Sequence, residues 1–206
     1  MRLSAPAITD DPLPMSLPMA SAPSGTLLDP DAVVHFDALL HELYPDAVRV
    51  DRDRVLGLCG WLASMPVPAA QDVLARRLCR LEELRAMLDD PDWDAAEAMR
   101  ARVSQLVAYA DQVDDLIPDR EPLLGKLDDV LLLELAWPAF AAEAEDYRDF
   151  CAYRDEALPC GNGGERRAAW IRDRLAEAAL WQHHLRVNDS HYTRRGRAEA
   201  PFHVGG

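Results

Sequence analysis

The chain has 206 residues, a formal net charge of −14 and 49% hydrophobic residues. That composition excludes a disordered or fibrous chain. The length fits one globular domain with a tail, able to bury about 70% of its unfolded surface without a disulfide framework. The charge is uneven: residues 31–158 carry 28 acids and 13 bases, whereas residues 159–206 carry five acids and eight bases. An acidic body repels phosphate backbones, so nucleic acid is not an expected partner. Lys126 is the only lysine; the other 21 basic residues are arginines without strong clustering. Cys59, Cys79, Cys151 and Cys160 form no C-x-x-C pair and read as reduced, mostly buried thiols of a cytoplasmic protein.

In chain order, residues 1–28 hold Pro6, Pro12, Pro14, Pro18 and Pro23, and no hydrophobic period survives them, which predicts a flexible leader. Asp10 and Asp11 interrupt any signal-peptide core. Asp29 as cap and Pro30 at the first helical position open a first helix, with Val33, Phe36, Leu39, Leu40 and Leu43 at helical spacing and Tyr44-Pro45 as its end. A second helix is expected from Asp51 to Ser64, broken by Pro66 and Pro68. A third runs from Ala69 to Leu88, with Val73, Leu74, Leu78, Leu81, Leu84 and Leu88 inward and its arginines outward. Asp92 is the expected cap of a fourth helix reaching about Asp115. A Pro-bearing turn at 117–125 precedes a fifth helix from Asp128 to Glu156, bent at Pro138. Gly161, Gly163 and Gly164 mark a loop, a sixth helix spans Glu165 to Arg186, and residues 188–206 read as a loose basic tail. The expected class is all-α: a single bundle of about six helices over residues 29–187. The apolar run Val130–Ala142 is 13 residues long and carries Glu134 and Pro138. A membrane span needs about 20 apolar residues, so this run reads as core.

The most specific stretch is Tyr109 to Leu133, YADQVDDLIPDREPLLGKLDDVLLL. Pro118 pushes Ile117 out of helical conformation, Pro122 and Gly125 shape a turn, and Asp128 and Asp129 stand where the next helix starts. Leu116, Ile117, Leu123, Leu124 and Leu127 can tuck beneath it. The expected result is an αα-hairpin with a stiff acidic elbow. Within residues 111–129, seven acids face two bases.

This stretch resembles the YkvA-like bacterial domain of unknown function, whose pattern is close to D-L-I-P-D, two residues, P-x-L-G, one residue, L-D-D, then an apolar run. The matching positions are Asp115 to Asp119, Pro122, Leu124, Gly125, Leu127, Asp128 and Asp129, without a gap, over about 109–140. Such domains often have Ser-Pro where Gln112-Val113 stand, and a more apolar second helix than one carrying Glu134. The resemblance therefore implies the hairpin more than the membrane association of apolar relatives, and it implies no reaction.

The elbow admits three readings. Asp115, Asp119, Asp128 and Asp129 cap the helix, satisfy turn N–H groups and pair with Arg120 or Lys126; or they converge to hold Mg²⁺ or Ca²⁺ through oxygen ligands; or they form a partner surface. It is not an EF-hand loop, because the alternating ligands and terminal glutamate are missing. His183, His184, His191 and His203 with Cys160 or Cys151 lack the close pairs of a structural zinc site. Cys160 or Ser190 with His191 and Asp189 lacks a nucleophile elbow, and Gly161–Gly164 lacks the ending of a P-loop. Arg194, Arg195 and Arg197 are few for counterion-driven binding. With no catalytic constellation, the leading expectation is a non-catalytic interaction or scaffold protein that engages a protein partner or its own copy. The alternatives are a carboxylate-based cation-binding protein or metal-dependent enzyme, and a membrane-surface protein.

Overall fold

A computed structural model describes residues 13–14, 28–113 and 115–193. Among them there are seven α-helices and no strand. The polypeptide forms two compact units, residues 1–148 and 149–206.

Helix starts follow their capping residues. The Asp29 carboxylate accepts from Asp31 N–H (2.9 Å) at the start of α1 (Pro30–Leu43), and Asp51 accepts from Arg54 N–H (2.9 Å) at the start of α2 (Arg52–Ala63). α3 (Val67–Asp89) begins earlier than expected, because Pro68 falls in the first turn, where a missing N–H breaks no helical bond. Its buried residues are Ala70, Leu74, Leu81, Leu84, Met87 and also Arg77, the exception to an outward arginine face. Arg77 Nε donates to Glu134 Oε2 at 2.7 Å, which makes its burial tolerable.

α4 (Glu97–Ala110) is shorter at both ends than expected, and Asp92 does not cap it. The segment before it is held out of helix by tertiary contacts. Trp93 is buried, stacks edge-on to Tyr147 at 5.5 Å and donates its indole N–H to Glu143. At the far end Asp111 turns outward to a paired ion contact with Arg85 (2.6 Å).

The expected fifth helix is two helices. α5 (Leu127–Ala136) gives way to a 3-10 turn at Trp137–Ala139, and α6 (Ala141–Ala157) follows. Pro138 offers no N–H to the carbonyl four residues back, so the α-helical ladder stops there. α5 is the centre of the first unit and packs on α1, α3 and α4. Leu127, Val130, Leu131, Leu132, Leu133 and Ala136 are all buried, so its apolar residues extend round more than one face, each covered by a packed neighbour. Each of its fully buried leucines contributes about 1.5–3 kcal/mol. No described helix is long and apolar enough to cross a membrane.

Of the expected flexible leader, residues 1–28, only 13, 14 and 28 are among the described residues. Leu13 is buried, and its N–H donates to Glu134 Oε1 at 2.6 Å, so Glu134 holds Arg77 on one oxygen and Leu13 on the other.

In the second unit, α7 (Gly163–Thr193) extends beyond the expected end at Arg186. It starts with a reciprocal cap: Glu165 N–H donates to Asn162 Oδ1 (3.0 Å), and Asn162 N–H donates to Glu165 Oε2 (2.8 Å). The preceding Gly161 has φ +106°, a conformation that glycine adopts without strain. Trp170 packs edge-on to Phe150 at 5.8 Å and donates to Asp149. Arg194, Arg195, Arg197 and His203 lie outside the described residues, and so do the side chains of Asp189, Ser190 and His191.

Candidate functional site

The elbow between α4 and α5 is fixed by its own backbone before any ligand is considered. Asp119 N–H donates to Val113 C=O (3.1 Å), Glu121 N–H to Pro118 C=O (2.8 Å), Gly125 N–H to Glu121 C=O (3.0 Å) and Leu127 N–H to Leu124 C=O (2.8 Å). Leu116, Ile117, Leu124 and Leu127 are buried beneath it; Leu123 is only half-buried, at φ 69°. Gly125 is required by proximity: a Cβ there would lie 2.6 Å from the Asp119 carbonyl oxygen. That close approach brings Asp119 over the first turn of α5.

Asp128 and Asp129 occupy that first turn, but neither side chain caps the helix; the N-cap is Lys126, and no side chain hydrogen-bonds there. This corrects the capping expectation. Asp128 is fully buried and faces away from its own helix end: its Oδ2 accepts from Tyr109 O–H (2.8 Å) and Ile117 N–H (3.2 Å). It is a staple that ties the α4 end and the 116–117 segment to α5. The Leu116 N–H in turn reaches Tyr109 Oη at 3.4 Å, and the Tyr109 ring meets Phe36 edge-on at 5.7 Å.

Three of the four expected carboxylates converge. Asp115, Asp119 and Asp129 can each place one oxygen within 4.8 Å of the others, the one such acidic, His or Cys group among the described residues. The Asp129 side chain is 1% exposed and that of Asp119 26%. Lys126 Nζ lies 2.8 and 2.9 Å from the two Asp119 oxygens and 3.0 Å from Asp129 Oδ2. Asp129 Oδ1 is buried without a hydrogen-bond donor, and both Asp115 oxygens are buried with no donor beyond the Asp115 N–H and the Asp128 carboxyl beside them. Three carboxylates around one ammonium leave a formal charge of −2. Asp128 is not a member of the bowl but a neighbour of Asp115, and its Oδ1 also lacks a donor.

Burial and mutual repulsion raise the pKa values of these acids. Desolvation first, then the charges of Asp115 and Asp129, push Asp128 up to about 8 against the opposing bonds from Tyr109 and Ile117. Desolvation lifts Asp129 to about 6, with Lys126 opposing and Asp115 and Asp119 adding to the rise. Asp115 is raised too, chiefly by burial. Burial works against the Lys126 ammonium, but Asp119 and Asp129 outweigh it and its pKa rises. The effect spreads outward: Cys59, buried and near Asp128, is pushed up to about 12, which makes it an inert thiol. A cavity of about 280 Å³ opens beside the bowl, lined by Gln71, Leu74 and Leu78 of α3 and by Asp119, Leu123 and Lys126 of the elbow.

The expected pairing with Lys126 is present, to Asp119 and Asp129; sequence reasoning missed Tyr109 as the partner of Asp128, though it lies within the elbow stretch. Of the other constellations, His203 and the side chains of Asp189, Ser190 and His191 lie outside the described residues. Cys79 and Cys160 are exposed and only Cys59 is buried, contrary to the expectation of mostly buried thiols. His183 and His184 sit on an exposed stretch of α7. In comparison with known proteins, no family model, no curated protein and no solved structure matches the chain.

Proposed function

We propose that the protein is a helical binder of a divalent cation, with Asp115, Asp119 and Asp129 as ligands and Asp128 as the buried staple that holds their scaffold. One observation carries this reading: three carboxylates, largely buried, converge in one bowl with a single ammonium to compensate them. Burying carboxylates without donors costs several kcal/mol unless a charge compensates them. Lys126 compensates only part. The donor set is all oxygen, which suits Mg²⁺, Ca²⁺ or Mn²⁺ over zinc or copper. The αα-hairpin formed by α4, the elbow and α5 supports treating the stretch as YkvA-like, and cysteines held as thiols support a reducing, cytoplasmic setting.

Calorimetric titration of chelator-treated protein with Mg²⁺, Ca²⁺ and Mn²⁺ tests the site, with Asp129→Asn as control. Binding by the native chain and its loss in the variant are expected. At a cation concentration 100 times Kd, the native chain gains about 2.7 kcal/mol of stability. Neither heat nor a thermal shift with any of the three ions refutes the reading.

A second reading, self-association as a scaffold, is favoured by α7. Ile171, Leu175, Trp181 and Leu185 recur at near-helical spacing and are 44–67% exposed. Sedimentation of native and Leu175→Asp chains tests it; a monomer at all concentrations refutes it.

A further inference from the structure

Lys126 stands in a place that helix physics disfavours. N-caps favour short polar acceptors, and a cation at a helix N-terminus opposes the macrodipole; yet the chain's only lysine is the N-cap of α5 and makes no capping bond. Its position is explained by the bowl. The ammonium engages both Asp119 oxygens and Asp129 Oδ2, two of the three carboxylates assigned above to a cation.

An ammonium at 2.8–3.0 Å from those oxygens and a metal ion bound to the same oxygens at about 2.0–2.6 Å would occupy overlapping space with like charge. One must leave. The two differ in freedom to do so. The Asp129 side chain is buried on the first turn of α5, whereas Lys126 is 40% exposed on a flexible four-carbon stem. Lys126 also lines the α3–elbow cavity, whose rim carries Glu121. An exit path and an alternative carboxylate are therefore adjacent.

We propose that Lys126 is a resident counter-ion of the bowl and that a divalent cation binds by exchange with it. The ion takes Asp115, Asp119 and Asp129, and the ammonium swings into the α3–elbow cavity towards Glu121. The lysine thus keeps the carboxylates compensated in the metal-free state and sets the threshold concentration at which the ion enters. Loading the site changes the charge and shape of the cavity, which makes that cavity the place where occupancy is read. This inference rests on the cation-site reading.

A single lysine makes the test clean. Full-length protein labelled with ¹³C,¹⁵N-lysine gives one side-chain Cε/Nζ resonance set, followed during titration with Ca²⁺ and with Mg²⁺. In parallel, calorimetry compares native, Lys126→Met and Lys126→Arg chains. The expected result is a saturable shift of the Lys126 Cε signal in the native chain. Lys126→Met should bind about tenfold more tightly, as two half-buried ion pairs imply, and Lys126→Arg should not. Cation binding by Lys126→Met alone overturns both the exchange and the cation site of the native chain, leaving Lys126 as a permanent counter-ion. An unmoved Lys126 signal, with ions bound by native and Lys126→Met chains within about twofold of each other, overturns the exchange and leaves the cation site standing. Absence of binding in all three chains overturns both. The resonance readout uses the native chain and stands even if Lys126→Met folds poorly.

Discussion

Replacing Asp128 with Asn isolates the electrostatics of the elbow. Asp128 is fully buried, and desolvation together with Asp115 and Asp129 pushes its carboxyl up to about 8; an unfolded chain gives about 3.9. The folded state therefore holds a proton that the unfolded state releases. Stability is insensitive to this group below about pH 4, falls as pH rises towards about 8, and levels off above that. The slope is at most about 1.4 kcal/mol per pH unit, and the whole interval is worth several kcal/mol, against roughly 5–15 kcal/mol for a typical domain. Asp129, raised to about 6, acts in the same direction over the lower part of the window. Asp37 and Asp111 have lowered pKa values, so their stabilisation is lost only as pH falls below about 4 and does not enter the window. Asn keeps the acceptor for Tyr109 and Ile117 and is neutral at every pH. Its N–H₂ replaces an oxygen without a donor, next to the Asp115 carboxylate. Urea unfolding of both chains in chelator-treated buffer at pH 5, 7 and 9 is the assay. Asp128→Asn should be near neutral at pH 5 and more stable than the native chain at pH 9. A variant that loses stability relative to native as pH rises would refute the reasoning.

Three further changes probe the frame of the site. Gly125→Ala forces the elbow backbone away from the Asp119 carbonyl, which should destabilise by about 1–3 kcal/mol in urea and weaken any cation binding by the same chain. Glu134→Ala strips the carboxylate from the buried Arg77, with an expected loss of about 3 kcal/mol. In an Arg77→Ala background it should lose much less, and equal losses in both backgrounds would contradict the pairing. Asn162→Ala removes one half of the α7 cap, lowering local stability by about 1 kcal/mol; hydrogen exchange in the first turn of α7 is the measurement.

Helix positions were legible where local chemistry decides them, as at Asp29-Pro30 and Asp51. They were not where distant contacts decide. Trp93 anchors to Glu143 and Tyr147, and that tertiary tie overrides the cap that Asp92 offers. Arg77 reads as a surface residue until Glu134, 57 positions away, accounts for it. The elbow was legible in outline because Pro118, Pro122 and Gly125 act over a few residues. The division of labour among its carboxylates was not. Which oxygen meets Tyr109, and which meets Lys126, depends on how α4 docks against α5, and spacing alone does not carry that.

The tie between Leu13 and Glu134 makes part of the leader a component of the core. A chain shortened to begin at Leu28 loses a buried leucine and leaves one oxygen of Glu134 without its backbone donor, beside a guanidinium that still needs the other. The gap opens on α5, the helix whose first turn carries Asp128 and Asp129. A proteolytic cut in the leader is therefore a stability event at the centre of the first unit, and its rate of capture by protease reports how often Leu13 lets go.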